Sequence, residues 1–540
     1  MNNKSCVLLA IVAVAALCVC LRSGDKVLAA GDKQRTRAEQ AIRKGEFEGA
    51  EKIYRELITK DPQDLPARLG LSYALLKQRK VQDAYDAAAR AVALDPLSSR
   101  GHALLGASLL ASGDFLLSVE EFKTALSFKD DEALAIAGLA MISFHENRPA
   151  LALAGLRRAM FIDPNEPDFV YNFAKSAARS ERYREAADAY ENFLRIAPRT
   201  DADRRTYIEG LISFLRYLGT QRSLYEAAGA EFARVPFEIV NNRPIINVRL
   251  NNSKEVLRFV IDTGSGMCVI SEATAKRVGL KSVARGGSAR AVGGAGRFEI
   301  VYGFLSALHV GEARVENVPV YIRDFHSTQE SIDGYLGIAI LGKYLSTIDY
   351  QERALILDRG AAARFDNNHV AAPATIGEGP PSVVAAIELP MRSTSNGIWC
   401  GVISLDGIAR PQNFIIDTGA TISVVSTSLA TREALERYEQ KQRLKVYGAA
   451  GVAEDVRMLL LPHLTIGAVR HPNLSAAVLD MEAINETAGF EQTGILGGNL
   501  LRFFRMTFDF KRGVLRLDPV AGAPHVPLAT ELQPITATPL

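Results

Sequence analysis

Between residues 33 and 199 the small and large apolar positions return every 34 residues. Pro62, Pro96, Asp130, Pro164 and Pro198 mark the period, with Asp130 standing where a proline is missing. Twelve positions before each lie small residues: Ala50, Ala84, Ser118, Ala152 and Ala186. Eight before lie Tyr54, Ala88, Phe122, Leu156 and Tyr190, and five before lie Leu57, Ala91, Ala125, Ala159 and Phe193. Two antiparallel helices can approach closely where small residues recur. Larger apolar residues then fill the groove to the next pair, and proline stops the second helix. In the third repeat, Leu105-Gly106 adds the small residue expected on the first helix. From Asp201 to about Phe232 the pattern continues as amphipathic helix, through Leu211-Ile212-Ser213-Phe214-Leu215, and is suited to capping the open apolar end of the stack. Past residue 235 helical spacing gives way to short β-branched runs and many glycines, as in Ile245-Ile246-Asn247-Val248-Arg249-Leu250. Short strands between glycine-rich turns predict a barrel or sandwich.

The helical half resembles the tetratricopeptide repeat, with about five units holding one register over residues 33–199. The resemblance implies a concave groove for peptides or a partner protein. A spacer or assembly scaffold with no defined ligand is the competing reading.

The β-rich half carries one motif twice. Phe259-Val260-Ile261-Asp262-Thr263-Gly264-Ser265 recurs as Phe414-Ile415-Ile416-Asp417-Thr418-Gly419-Ala420. Thirty-one residues after each aspartate stand Gly293, in Val292-Gly293-Gly294-Ala295-Gly296, and Gly448, in Tyr447-Gly448-Ala449-Ala450-Gly451. Residues 334–350 align without a gap on 494–510, from Gly334-Tyr335-Leu336-Gly337 and Gly494-Ile495-Leu496-Gly497 to Asp349 and Asp509. A lone Asp-Thr-Gly is weak evidence, since Asp and Gly commonly mark turns; two copies after matching apolar strands, followed by matching glycine and closing blocks, mark a duplicated fold.

Each copy resembles a retropepsin-type aspartic protease unit, and two copies in one chain are similar to the pseudo-twofold arrangement of pepsin-like enzymes. The expected architecture is an all-α tetratricopeptide-repeat solenoid followed by an all-β two-lobed acid-protease fold. The boundaries are a signal segment over 1–30, repeats over 31–232, one lobe over 233–360, a linker over 361–382, a second lobe over 383–520 and a tail over 521–540. The resemblance implies that Asp262 and Asp417 form a catalytic pair. Two adjacent carboxyls cannot both ionise cheaply, so they share a proton; one takes a proton from water while the other donates to the amide carbonyl. Neither metal nor cofactor is needed. Thr263 and Thr418 are expected to orient the two active-site loops. Gly264 and Gly419 admit close backbone approach. Ser265 can hydrogen-bond its carboxylate, and Ala420 cannot. Gly293, Gly294 and Gly448 mark candidate flaps over an extended peptide. The pepsin-type flap tyrosine has no clear counterpart, Tyr447 being in uncertain register, which favours the retropepsin comparison. The competing readings are two structural turns in an inactive β-fold, a non-catalytic peptide-binding or assembly scaffold, and lobes paired between chains.

Composition sharpens this reading. The chain of 540 residues is 48% hydrophobic and 23% charged, so it is not disordered. A formal charge of +2 gives no bulk drive toward nucleic acid; a polypeptide is the expected partner. Lys4, the apolar run Val7–Leu21 and the small residues Ala29 and Ala30 read as an export signal. The expected location is therefore periplasmic or extracellular, with an uncleaved membrane anchor as the alternative. Cys268 and Cys400 then remain, able to pair in an oxidising compartment or to stay buried. No histidine pair has metalloprotease spacing, and His463 and His471 read as solvated residues flanking a turn. The glycine run at Gly293 lacks the Lys-Ser/Thr of a phosphate loop.

Overall fold

The computed structural model describes residues 31–290, 292–293, 297–325, 331–361, 386–448 and 451–527. The expected export signal, nearly all of the expected linker and most of the tail lie outside the described residues. The chain divides into two compact units. The first joins residues through Ile142 with Gly155–Phe169 and Arg195–Ala202; the second joins Ser143–Ala154 and Val170–Leu194 with everything from Asp203.

The helical half begins with α1 (residues 31–44). It continues with α2 (Phe47–Lys60), α3 (Leu65–Lys77), α4 (Val81–Leu94), α5 (Ser99–Ser112), α6 (Phe115–Phe128), α7 (Ala133–His145), α8 (Pro149–Ile162), α9 (Pro167–Arg179), α10 (Tyr183–Ile196) and α11 (Ala202–Leu218). Helices α2, α4, α6, α8 and α10 start 34 residues apart, as do α3, α5, α7 and α9. The recurrent positions are buried throughout, from Ala50 and Tyr54 to Tyr190 and Phe193. Inside the first unit their sizes are matched across the groove. A Cβ on Gly70 would lie 2.3 Å from the Tyr54 ring, and one on Gly138 would lie 2.1 Å from Phe122. The equivalent pair in the repeat between them is Ala88 and Leu104, which share a small core. A large side chain on one helix thus faces glycine on the next, and a small one faces leucine. The second helix of a pair ends at the same place with or without the proline. Asp61 and Asp95 take extended cap conformations before Pro62 and Pro96, and Lys129 takes the same conformation before Asp130.

The helix expected over 201–232 is shorter. It ends at Leu218, and Glu226–Gly229 instead pairs antiparallel with Ala313–Arg323 at a sheet edge. The β-rich part of the second unit then repeats one plan. In the first lobe the strand Leu257–Ile261 lies between Arg243–Leu250, antiparallel, and Gly334–Leu336, parallel. In the second lobe Gln412–Ile416 lies between Trp399–Leu405 and Gly494–Leu496 in the same senses. A shared sheet joins the lobes in the order Ile387–Ser393, Val514–Pro519, Phe504–Asp509, Leu345–Asp349, Ala354–Asp358, Phe232–Pro236. At its centre Thr347 faces Thr507, and their hydroxyls lie 2.9 Å apart. These two threonines are the matched residues of the gapless sequence alignment, so the pseudo-twofold axis passes between them.

Three helical segments belong to this second unit. The α7 end and α9 hold the turn after Ile387–Ser393: Arg179 donates from Nη1 to Ser393 Oγ at 2.6 Å and from Nη2 to the Thr394 carbonyl at 2.9 Å. His145 Nδ1 lies 2.8 Å from the Ser393 carbonyl, and burial among cationic neighbours lowers its pKa to about 3. Helix α11 packs on the first lobe, where Phe214 stacks on Tyr302 with ring centroids 4.0 Å apart. His471 departs from the solvated reading: it is 5% exposed, opposite Leu464 in the ladder and against Phe503, and desolvation lowers its pKa to about 4. Both cysteines are free and buried, and desolvation pushes each thiol up to about 12.

Candidate active site

Each aspartate sits where an apolar strand ends against its parallel neighbour. Asp262 N donates to the Leu336 carbonyl and Asp417 N to that of Leu496, both at 3.0 Å. The closing blocks admit no side chain at their glycines. A Cβ on Gly334 would stand 2.5 Å from the Phe259 ring, and one on Gly494 would stand 2.2 Å from that of Phe414. Gly337 and Gly497 are equally confined, against the Met267 and Ile422 backbone. Both blocks thus sit directly against the aspartate loops.

The loops are tied across the axis by reciprocal bonds. Thr263 Oγ1 donates to the Ile416 carbonyl at 2.8 Å, and Thr418 Oγ1 donates to that of Ile261 at 2.7 Å. Thr418 N donates to Thr263 Oγ1 at 3.0 Å and Thr263 N to Thr418 Oγ1 at 3.2 Å. Each hydroxyl therefore both accepts from and donates to the other lobe, in a buried position where an unmade bond is costly. Gly264 and Gly419 sit against the opposite carboxyls. A Cβ on Gly264 would lie 2.4 Å from Asp417 Cγ, and one on Gly419 would lie 2.6 Å from Asp262 Oδ1.

The two carboxyls are held differently. Asp262 accepts from Gly264 N at 2.9 Å and from Ser265 Oγ at 2.6 Å. Asp417 accepts from Gly419 N at 2.8 Å and from Ala420 N at 3.1 Å, both backbone donors. Desolvation, the charge of Asp262 and a hydrogen bond between the two carboxyls raise Asp417 well above the ordinary carboxylate range. A shared proton between buried neighbours is what such a pair can hold, and its titration belongs to the pair.

The two candidate flaps are long hairpins, one in each lobe. Flap 1 is Ser282–Arg290 with Arg297–Val310, and flap 2 is Glu439–Gly448 with Gly451–Ile466. Their tips touch: a Cβ on Gly293 would lie 2.7 Å from Gly448 Cα, and one on Gly448 would lie 2.3 Å from the Val292 carbonyl. Gly294 lies outside the described residues. Tyr447 pairs with Val452 and is 40% exposed beneath Lys445, so it points outward. Among the described residues, no group of three or more His, Cys, Asp and Glu is disposed to hold a metal ion.

Two supports of the site have no motif. The Asn396 carbonyl lies 2.9 Å from where a Cβ on Gly266 would stand, so the turn held by Arg179 abuts the Asp262 loop. Helix α11 braces flap 1, with Gly210 against the Arg285–Gly286 backbone. The amphipathic pattern of α11 shows that one face is covered but not by what.

The chain thus joins a tetratricopeptide-repeat solenoid to a two-lobed aspartyl-protease fold. The aspartyl protease family model matches residues 246–340 and again 402–500, and the tetratricopeptide repeat model matches residues 41–107. The repeat part is similar in structure to a thermophilic TPR protein of Thermus thermophilus, at 20% identity, TM-score 0.30, covering 34% of this chain and 98% of that one. It is also similar to the Pseudomonas aeruginosa protein pilF, at 16% identity, TM-score 0.27, covering 35% and 86%. A Thermobaculum terrenum O-GlcNAc transferase matches at 26% identity, TM-score 0.23, covering 24% and 26%. The comparison with curated proteins finds no match.

Proposed function

We propose that this protein is an exported aspartic endopeptidase whose repeat helices take a protein partner or deliver the substrate. The observation that carries the reading is the pair of carboxyls whose loops are tied by crossed threonine bonds, each carboxyl lying against the glycine of the opposite loop. With one proton on the pair, one carboxylate takes a proton from water as its oxygen attacks the scissile carbonyl carbon. The other carboxyl donates to the carbonyl oxygen, and proton transfer to the amide nitrogen then releases the amine. Ser265 donates to Asp262 and has no side-chain counterpart at Ala420, which supports unequal roles for the two carboxyls. Export rests on Lys4, the run Val7–Leu21 and the small residues Ala29 and Ala30. The expected location is the periplasm or the extracellular space, and the expected partner is a polypeptide.

The test is cleavage of a peptide library by the purified chain from residue 31. Asp262→Asn and Asp417→Asn should each abolish turnover while the protein stays folded by circular dichroism. Full activity in either variant would overturn a pair formed within one chain.

A further inference from the structure

The pseudo-twofold axis places unlike chemistry at matching points of the two lobes. Ile245 pairs with Val260 as Cys400 pairs with Ile415, so Arg243 corresponds to Ile398. Arg323 opposite Ser271 corresponds to Leu479 opposite Ser426. Tyr335 opposite Val260 corresponds to Ile495 opposite Ile415. In the second lobe Ile398, Leu479 and Ile495 form one aliphatic cluster with Ala420 and Ile422 of the Asp417 loop and with Val292 of flap 1. These positions therefore lie on the wall between the aspartate loop and the flap.

In the first lobe the same three places hold two arginines and a tyrosine. Both arginines are half-buried. The Arg323 guanidinium lies 5.6 Å from the Phe298 ring and 5.7 Å from the Phe325 ring, and Phe325 meets Tyr335 edge-on at 5.0 Å. Burial lowers the Arg323 pKa against the opposing pull of Tyr335 and Asp262, and the Tyr335 hydroxyl is hydrogen-bonded to Arg243. The guanidiniums are thus aimed by packing, in a place partly cleared of water.

We propose that the first lobe's half of the cleft selects an acidic substrate side chain next to the scissile bond, through Arg243 and Arg323, while the second lobe's half takes an apolar one. The proposal rests on the peptidase reading above and names its substrate class. A carboxylate can meet a guanidinium in charge-assisted bonds that an amide makes more weakly and an aliphatic group not at all.

The test uses fluorogenic peptides with leucine on one side of the scissile bond and Glu, Gln or Leu on the other, in both orders. In one order the wild-type chain should favour Glu over Gln by roughly tenfold to a hundredfold in kcat/KM. Replacing the pair by their second-lobe counterparts, Arg243→Ile with Arg323→Leu, should bring the Glu/Gln ratio to about one and favour Leu. Arg323→Lys, which keeps the charge, should retain part of the preference. The same ratio, read as peptide binding to Asp417→Asn, gives the answer without turnover. Equal handling of Glu and Gln in both orders would overturn the proposal. So would a preference that survives the double variant, or a double variant that slows both peptides equally and only moves the pH profile. Selective binding with no cleavage of any peptide would instead defeat the peptidase reading and leave the selectivity standing.

Discussion

The two flaps are the same hairpin built twice, yet they are secured in different ways. Flap 1 is fixed at both ends. Phe214 and Tyr217 of α11 pack on Tyr302 and Phe304 at its root, and near its tip Arg297 pairs with Asp203 at 2.6 Å. At its tip Val292 packs into the second lobe's apolar wall, and Arg290 pairs with Glu486 at 2.9 Å. Flap 2 has a buried inner row ending at Val456, but Tyr447 and Val452 near its tip are 40% and 37% exposed. Its outer charges pair within the hairpin, Lys445 with Glu454 and Arg443 with Glu439. Sequence duplication thus preserves the lid and not its fastening. Helix α11, which follows the repeats, braces the first hairpin, while the second packs Leu444, Val446 and Ala453 on the apolar cluster of its own lobe.

This difference can be broken deliberately. The largest effect is expected from Phe214→Ala, which removes a ring stacked on buried Tyr302. A loss of about 3–5 kcal/mol is the usual scale for such a truncation, read by denaturant unfolding. Hydrogen exchange of residues 297–310 should rise to the rate of flap 2. Gly210→Val comes next. Its Cβ would stand 2.2 Å from the Arg285 carbonyl, so α11 must lift from the flap. About 1–3 kcal/mol of overpacking cost is expected, with faster exchange in flap 1 and no change in flap 2. Unchanged exchange in flap 1 for both variants would show that the helix does not brace it.

The third prediction concerns the carboxyl pair. Asp417 is raised in the folded state, so the native chain binds more protons than the unfolded one above the ordinary carboxyl value of 3.8. The stabilising contribution is complete below that value and fades as pH rises through the raised one. Asp417→Asn, neutral at every pH, should flatten that decline in unfolding free energy and be the more stable protein on its alkaline side. An unchanged pH slope would refute a proton held there. The smallest effect is expected from Lys445→Ala, which removes an exposed pair within flap 2 and should leave the unfolding midpoint where it was.

Much of this molecule can be read from its residues, for a physical reason. The 34-residue period survives in Ala50, Ala84, Ser118, Ala152 and Ala186 because each helix crossing imposes the same steric limit, and all five are buried. The paired aspartates stand out because their loops tolerate only glycine beside the opposite carboxyl. Other features are set by contacts distant in sequence and leave no local pattern. Phe214 looks like any apolar residue of an amphipathic helix, and nothing near it names Tyr302. His471 sits beside a turn, where exposure is the natural expectation, but its strand turns it onto Phe503. Arg323 and Leu479 become comparable only when strand registers show that they occupy one position twice.

The crossed threonines carry a consequence for timing. Thr263 needs the Ile416 carbonyl, and Asp417 needs the strand ending at Leu496. A nascent chain that has emerged only through the first lobe contains Asp262 but no partner carboxyl and no opposing hydroxyl. The shared sheet is completed later still, by Phe504–Asp509 and Val514–Pro519. Any hydrolytic power of the pair is therefore withheld until the chain has been made through the strand Val514–Pro519, which protects the ribosome-bound segment from its own product.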